Sequence, residues 1–328
     1  MPFFVLGTRR CFLQPTSDMS EEDDEINYPT GFGLKDIVSW GSSGMICLDA
    51  PTQTIVKSPH RDENKDDIAI EQRIYERSSE RGSHEGLLQY HGPYESGIRP
   101  EFAPNGNLRT FLGKRGREID MEKRLRWAKQ ITDTLRFIHS MHVIHRDVTC
   151  GNILLDADLN ARLSDFGWSS LDGSPLLVAV TASHHSPGAA QSIQGDIFSL
   201  GSTFYELITG YFPFAELPEE EITARYSRAQ FPETKSLGMI GDIITGCWPN
   251  RYSSFDAIFK DLEALHMPIH IVNLQLIVTS SKASTSWSPN LQPPQQPPSS
   301  PRFSSLSRLL ESLQSCLVQD LSFYSPDQ

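Results

Sequence analysis

The hydrophobic pattern changes period near residue 105, and this change limits the fold more than any other feature of the chain. Between about 35 and 100, β-branched and apolar residues come in short runs, "DIVSW", "GMICLDA", "TIVKS" and "LLQYHG". Such runs have the spacing of strands. A single helical stretch, "DIAIEQRIYERSS", interrupts them. Beyond 105 the apolar residues return every three or four positions. Leu125, Ala128, Ile131, Leu135 and Ile138 do so in one segment, and Ile197, Leu200, Phe204, Leu207 and Ile208 in another. Each set covers one face of a helix. Gly210 ends the second, and further helices are expected around Met239–Cys247 and Phe255–Leu265. The pattern predicts an α+β chain with a small β-rich lobe holding one helix, then a larger helical lobe.

The rest of the chain is unlike these lobes. Residues 1–34 contain the acidic run "SEEDDE", which favours solvent, and are expected to be a disordered tail. Residues 268–328 are rich in Ser, Pro and Gln and read as a low-complexity tail. Near 305–321, Leu306, Leu309, Leu310, Leu313 and Leu317 form an apolar stripe that predicts a short amphipathic helix. The intervening domain runs from 35 to 267, with its lobes meeting near 104.

Charge and cysteine usage exclude several roles. Acids outnumber bases by 41 to 29, giving a net charge of -12. That balance argues against a nucleic-acid partner, which requires clustered Lys and Arg. The five cysteines are scattered with no CxxC pair, so a reducing compartment, cytoplasmic or nuclear, is expected. The longest apolar run, "IHIVNLQLIV", is too short and too polar to span a bilayer. Nothing in the sequence indicates an oligomer, and a monomer is assumed.

One constellation carries chemistry. The stretch "VIHRDVTCGNILLD" places Asp147 and Asn152 five positions apart, and "SDFG" then supplies Asp165. Carboxylate and amide oxygens suit a hard cation such as Mg²⁺. Phosphoryl transfer from ATP needs metal ligands, a cation on the inner phosphates and a carboxylate beside the attacking hydroxyl.

With "TIVK" upstream and "DIFSLG" downstream, residues 35–267 resemble the eukaryotic protein kinase family. In build they are similar to the compact single-domain kinases common in filamentous fungi. The resemblance implies a bilobal fold and an enzyme using ATP and Mg²⁺ on a protein substrate. It makes Asp147 the catalytic carboxylate, Asn152 and Asp165 the metal ligands, and Lys57 the cation on the α- and β-phosphates. Glu71 is expected to pair with that lysine in preference to Glu76, because Ile74 and Tyr75 follow it on a core-facing side. Asp196 looks like the buried acid that anchors the catalytic loop, and a helix N-cap role is also open to it.

The nucleotide side follows from the same likeness. "SWGSSGMI" aligns with a glycine-rich loop carrying Ser39 at its first glycine, while Gly41 and Gly44 remain and would let the backbone approach phosphate. Ile46 and Ile55 would roof the adenine, with the bulk of Ile55 lowering ATP affinity. Backbone groups of Glu101 and Ala103 would meet the adenine edge, Asn107 would lie near the ribose, and Leu154 would complete the set. Pro100 falls at the gatekeeper position, where a strand residue without an N–H is unexpected.

Three departures bear on substrate and control. Thr149 stands where Ser/Thr kinases carry Lys, which removes a cation near the γ-phosphate and is expected to lower the rate by about an order of magnitude or more. Thr181 aligns with the threonine that Ser/Thr kinases place beside the catalytic Asp, so a Thr149–Thr181 hydrogen bond and Ser/Thr specificity are expected. "HHSPG" puts Gly188 where a glutamate would pair with Arg251, which must then find water or another acceptor. Leu177 occupies the place of a phosphorylated hydroxyl, with Ser169, Ser170 and Ser174 as alternatives, and activity independent of loop phosphorylation is expected. Cys47 and Cys150 read as packed residues. The rival reading is a pseudokinase acting as a nucleotide- or partner-binding scaffold. Ser39, Ile55, Pro100, Thr149 and Gly188 favour it, whereas the retained Lys57, Glu71, Asp147, Asn152 and Asp165 favour catalysis.

Overall fold

Alternation of buried and half-exposed residues builds the first layer. In the computed structural model, which describes residues 28–41, 43–174, 181–188, 192–249 and 251–265, five strands form one antiparallel sheet. They are β1 (Ile37–Trp40), β2 (Met45–Asp49), β3 (Thr54–Ser58), β4 (Tyr90–Tyr94) and β5 (Gly97–Pro100), in the order β1-β2-β3-β5-β4. Helix α1 (Lys65–Glu80) intervenes between β3 and β4, as the apolar pattern predicts. It packs on β4 and β5 through Ile68, Ile74 and Tyr75.

Pro100 has a physical account here. Glu101 donates its N–H to Gln89 O on the β4 side, so the position of Pro100 one residue earlier points toward β3. The β3–β5 ladder is open there, its pairs being Lys57↔Ile98 and Thr54↔Glu101. The missing donor therefore breaks no bond. Residues 28–34, expected in the disordered tail, instead pack. Tyr28 and Phe32 cover Ile37, Met45 and Cys47 on the outer sheet face, and Tyr94 Oη donates to Thr30 O at 2.8 Å.

The second lobe is helical: α2 (Leu108–Arg115), α3 (Met121–Ser140), α4 (Ile193–Thr209), α5 (Glu219–Ser227), α6 (Met239–Cys247) and α7 (Phe255–Ala264). Asp120 and Ser192 cap α3 and α4 by accepting the Lys123 and Gly195 amides, and a left-handed Gly210 ends α4. The N-cap role left open for Asp196 thus falls to Ser192. Helix α4 is buried almost all round from Gly195 to Leu207, the mark of a central core helix. Trp127, Phe198 and Phe204 fill the space around it. Each such buried side chain contributes about 1.5–3 kcal/mol relative to exposure.

Two short ladders lie at the junction of the lobes. Strand β6 (Val143–Ile144) pairs with β9 (Ser170–Leu171), and β7 (Ile153–Leu155) with β8 (Ala161–Leu163). The connection at 101–107 is tied to both lobes, since Phe102 N–H donates to Gln53 O and Asn105 N–H to Leu155 O. Among the described residues no helix is long and apolar enough to cross a membrane. The expected Ser/Pro-rich tail and the helix near 305–321 lie outside the described residues.

Close contact between β3 and β5 fixes the strand that carries Lys57. A Cβ added at Gly97 would stand 2.4 Å from Lys57 O, a backbone atom with no freedom to yield. Gly97→Ala is expected to destabilise the fold by about 1–3 kcal/mol, read by thermal or urea unfolding. An unchanged midpoint would show that the sheet can open there without cost.

Candidate active site

Period two along β3 decides what faces the cleft. The pairs Ile46↔Lys57 and Leu48↔Ile55 put Ile46, Ile55 and Lys57 on one face of the sheet. On α1, Ile68, Glu71, Ile74, Tyr75 and Ser78 are buried at helical spacing, so Glu71 is carried inward with the apolar stripe. Lys57 Nζ lies 2.6 Å from Glu71 Oε2 and 2.7 Å from Asp165 Oδ1. Glu76, the competitor one turn later, is only half-buried and accepts from Gln72.

An ammonium this buried, 6% exposed, survives only with close counter-charges. Burial pulls the Lys57 pKa down most strongly as a single effect, but Asp165 and Glu71 together outweigh it and hold the lysine charged. Burial and the neighbouring Asp165 push the Glu71 carboxyl up, against the pull of Lys57. Two carboxylates thus share one cation.

Behind this trio the catalytic loop is held by one acid. Asp196 is fully buried and accepts the backbone N–H groups of His145 and Arg146, both at 2.7 Å, and lies 2.8 Å from His139 Nε2. These bonds hold Arg146 in a left-handed conformation, φ 70°, costly for a side-chain-bearing residue. Asp147 follows, half-buried. Asn152 Nδ2 donates to its carboxylate at 2.8 Å and to its carbonyl at 2.9 Å. The Phe166 ring sits 5.0 Å from His145 and 5.6 Å from Tyr75, and its N–H donates to Glu71. A column of rings therefore runs from α1 to the catalytic loop.

The nucleotide-side positions divide. Ile46, Ile55, Ala103 and Leu154 are buried or half-buried beside the cleft strands, with Leu154 bridged to Asn107 on β7. Ser39 is buried opposite Ile46, and Glu101 accepts the Gln89 amide through its carboxylate. Gly41 donates its N–H to Gly44 O across the loop turn. Gly44 has a reason other than phosphate: a Cβ there would meet Ser58 O at 2.5 Å, so close approach to β3 requires glycine. Asn107 also has a local role. It is buried, and its carboxamide oxygen caps α2 by accepting Thr110 N–H at 2.9 Å.

Other departures resolve locally. Thr149 is buried, and a Cβ at Gly151 would stand 3.4 Å from its Oγ1 and 3.3 Å from Arg109 Nη1. Gly188 adopts φ 80°, a turn conformation a glutamate would not favour. Arg251 finds an acceptor in Asp242 O at 2.6 Å and lies over the Tyr252 ring. Ser169 and Ser170 are buried and hydrogen-bonded to His145 O and Ser174 O, while Arg146 donates to Ser174 O at 2.5 Å. Leu177 lies outside the described residues. Burial raises the thiols of Cys47, to about 11, and of Cys150. Both remain protonated, as packed residues should.

Two ion pairs escaped the sequence reading because neither partner belongs to a spaced motif. Arg109 on α2 clasps Glu206 of α4 at 2.5 and 2.9 Å below the catalytic loop, and Arg77 of α1 holds Asp172 at 2.7 and 2.8 Å. Their separations of 97 and 95 residues leave no local signal.

The donor set fits a hard cation. Asp165 offers a carboxylate, and Asn152, its Nδ2 engaged by Asp147, offers an amide oxygen. Among the described residues no group of three His, Cys, Asp or Glu is placed to hold a metal. That is compatible with Mg²⁺, which takes one or two protein oxygens and completes its shell with phosphate and water.

A five-stranded lobe with one helix, a helical lobe, and a lysine bridged to acids from each define a protein kinase fold. Residues 49–262 match the family model described as protein tyrosine and serine/threonine kinase, and the chain belongs to that family. Among curated relatives it is 28% identical over 190 residues to the megakaryocyte-associated tyrosine-protein kinase of Rattus norvegicus, covering 54% of this chain and 40% of that one. It is 32% identical over 162 residues to the testis-specific serine/threonine-protein kinase 1 of Mus musculus, covering 44% of each. A receptor-like serine/threonine-protein kinase of Arabidopsis thaliana is 31% identical over 199 residues, covering 55% of each. The chain thus spans about half the length of these relatives or less.

Removing the shared cation has a predictable pH signature. In Lys57→Met the Glu71 carboxyl, already raised by burial, loses the charge that pulls it down, so the folded state binds protons more tightly than the unfolded one. Stability then falls as pH rises from the ordinary Glu value through the raised folded value. Loss relative to the parent should reach about 3–5 kcal/mol at neutral pH and shrink toward about pH 5, measured by thermal unfolding across that range. A deficit independent of pH would contradict the arrangement.

Proposed function

We propose that the chain is a protein kinase that transfers the γ-phosphoryl group of ATP to a serine or threonine hydroxyl of a protein substrate. The observation that carries this reading is the Lys57 ammonium held between Glu71 and Asp165, facing a catalytic loop whose Asp147 is fixed by Asn152. A scaffold has no need to keep all five groups in register.

In this reading Lys57, kept protonated by its two acids, binds the α- and β-phosphates, and Glu71 holds it in place. Ile46, Ile55 and Leu154 enclose the adenine, with backbone groups of Glu101 and Ala103 at its edge and the turn from Ser39 through Gly41 to Gly44 above the phosphates. Asp165 and the Asn152 amide oxygen are the residues that hold Mg²⁺, whose chemistry is to neutralise charge on the transferring phosphate. Asp147 accepts the proton of the attacking hydroxyl while the new O–P bond forms and the bond to the ADP oxygen breaks. Asn152 restricts the rotamers of Asp147, which favours a productive geometry. Thr149 supplies a hydroxyl where a cation would stabilise the transition state better, so a modest rate is expected.

Serine or threonine is preferred because Thr181 stands where serine/threonine kinases place a threonine beside the catalytic Asp, and two of the relatives named above are serine/threonine kinases. A tyrosine acceptor is the second reading, favoured by that match to a tyrosine-protein kinase. A monomer in a reducing compartment accords with the buried free thiols of Cys47, Cys150 and Cys247.

Purified protein with labelled ATP and Mg²⁺, given acceptor peptides bearing only Ser, only Thr or only Tyr, tests the reading beside Asp165→Asn. Transfer to Ser or Thr that the variant reduces by at least about a hundredfold, and that phosphatase pretreatment leaves intact, is the expected result. Equal signal in parent and variant would remove the catalytic reading, and transfer to Tyr alone would replace the acceptor class.

A further inference from the structure

We propose that Arg77 and Asp172 are positioning residues that hold α1 against the segment following Asp165, using a permanent carboxylate. The proposal rests on the kinase reading for its catalytic consequence, though not for its geometry.

The pair closes a ring of contacts. Asp165 and Glu71 both touch Lys57, one from the loop after β8 and one from α1. Six residues after Glu71 on the same helix comes Arg77, and seven residues after Asp165 on the same segment comes Asp172. Arg77 Nη1 donates to Asp172 Oδ1 at 2.8 Å and Nη2 to Oδ2 at 2.7 Å, a two-pronged geometry that fixes direction as well as distance. Nη1 also donates to Met141 O at 3.0 Å, at the turn leading into β6. Asp172 is itself anchored. Its N–H donates to His142 O at 3.1 Å, just past the β6–β9 pairs Val143↔Leu171 and Ile144↔Ser170.

Two further links run between the same elements. Phe166 N–H donates to Glu71, and Trp168 hydrogen-bonds Asp67 in the first turn of α1. Helix α1 is thus tied to residues 165–172 near its start, middle and end, and the Arg77 pair is the end link. Arg73 of α1 also lies within electrostatic reach of Asp172, as does the His142 side chain at the turn before β6. Arg146 also reaches this segment, donating to the backbone carbonyls of Trp168 and Ser174. The segment supplies acceptors for both arginines from its own atoms. A helix end swinging outward would draw Glu71 from Lys57.

Because both side chains are partly exposed, the effect is bounded by what an exposed pair can shift. The test uses the full chain with Asp172→Asn, which keeps shape and left-handed tolerance while deleting charge, together with Arg77→Gln and the conservative Asp172→Glu. Asp172→Asn and Arg77→Gln should lower kcat/KM for ATP about three- to fivefold at low salt and speed amide hydrogen exchange in residues 70–80. Melting temperature should stay within about 3 °C of the parent. Asp172→Glu should recover most of the loss, and high salt should bring parent and Asp172→Asn together. Unchanged exchange in Asp172→Asn, or a loss that follows the melting temperature and ignores salt, would overturn the proposal. If the parent transfers no phosphate, the functional reading fails and exchange alone decides the clamp.

Discussion

One buried ammonium sets the terms for the rest of this molecule. Lys57 cannot stay charged at 6% exposure unless acids reach it, and the two that do come from different elements. Glu71 reaches it only if α1 packs on the sheet with its apolar stripe inward. Asp165 reaches it only if the segment after β8 crosses beneath. The electrostatic demand of one side chain therefore holds two lobes and a helix in register. Breaking any of these contacts leaves a buried charge without its partner, which costs more than an intact pair contributes.

The catalytic loop solves a second problem by the same economy. A sharp bend with Arg146 in left-handed conformation would be strained alone, and Asp196 offsets the strain by accepting two amides at its apex. His145 then supports Phe166, and Phe166 supports Tyr75 on α1. The backbone that aims Asp147 is thereby coupled through rings to the helix that carries Glu71. Geometry on either side of the cleft depends on the other.

The two-lobed build is legible because it is written in local pattern: short β-branched and apolar runs in β2 and β3, three-and-four spacing in α1, α3 and α4. Asp147, Asn152 and Asp165 are legible as closely spaced oxygen-bearing groups suited to a metal-bound phosphate, and Lys57 and Glu71 through the resemblance to the kinase family. What stayed hidden is set by contacts distant in sequence. Gly44 is also required by packing, since a Cβ there would meet Ser58 O at 2.5 Å. Asn107 caps α2, a role that no motif spacing announces. Arg109–Glu206 and Arg77–Asp172 join residues that no pattern connects. Pro100 looked anomalous only until the open stretch of the β3–β5 ladder was in view. Side-chain pairings across a fold have no period, and a sequence read by itself cannot locate them.

The central claim is that Lys57, Asp165 and Asn152 face one space built for a metal-bound triphosphate. Titration of the protein with a non-hydrolysable ATP analogue by calorimetry, with and without Mg²⁺, tests it most directly. Binding should tighten with Mg²⁺ in the parent, and this gain should vanish in Asp165→Asn while metal-free binding persists. Affinity indifferent to Mg²⁺, or a gain of equal size in Asp165→Asn, would contradict the account.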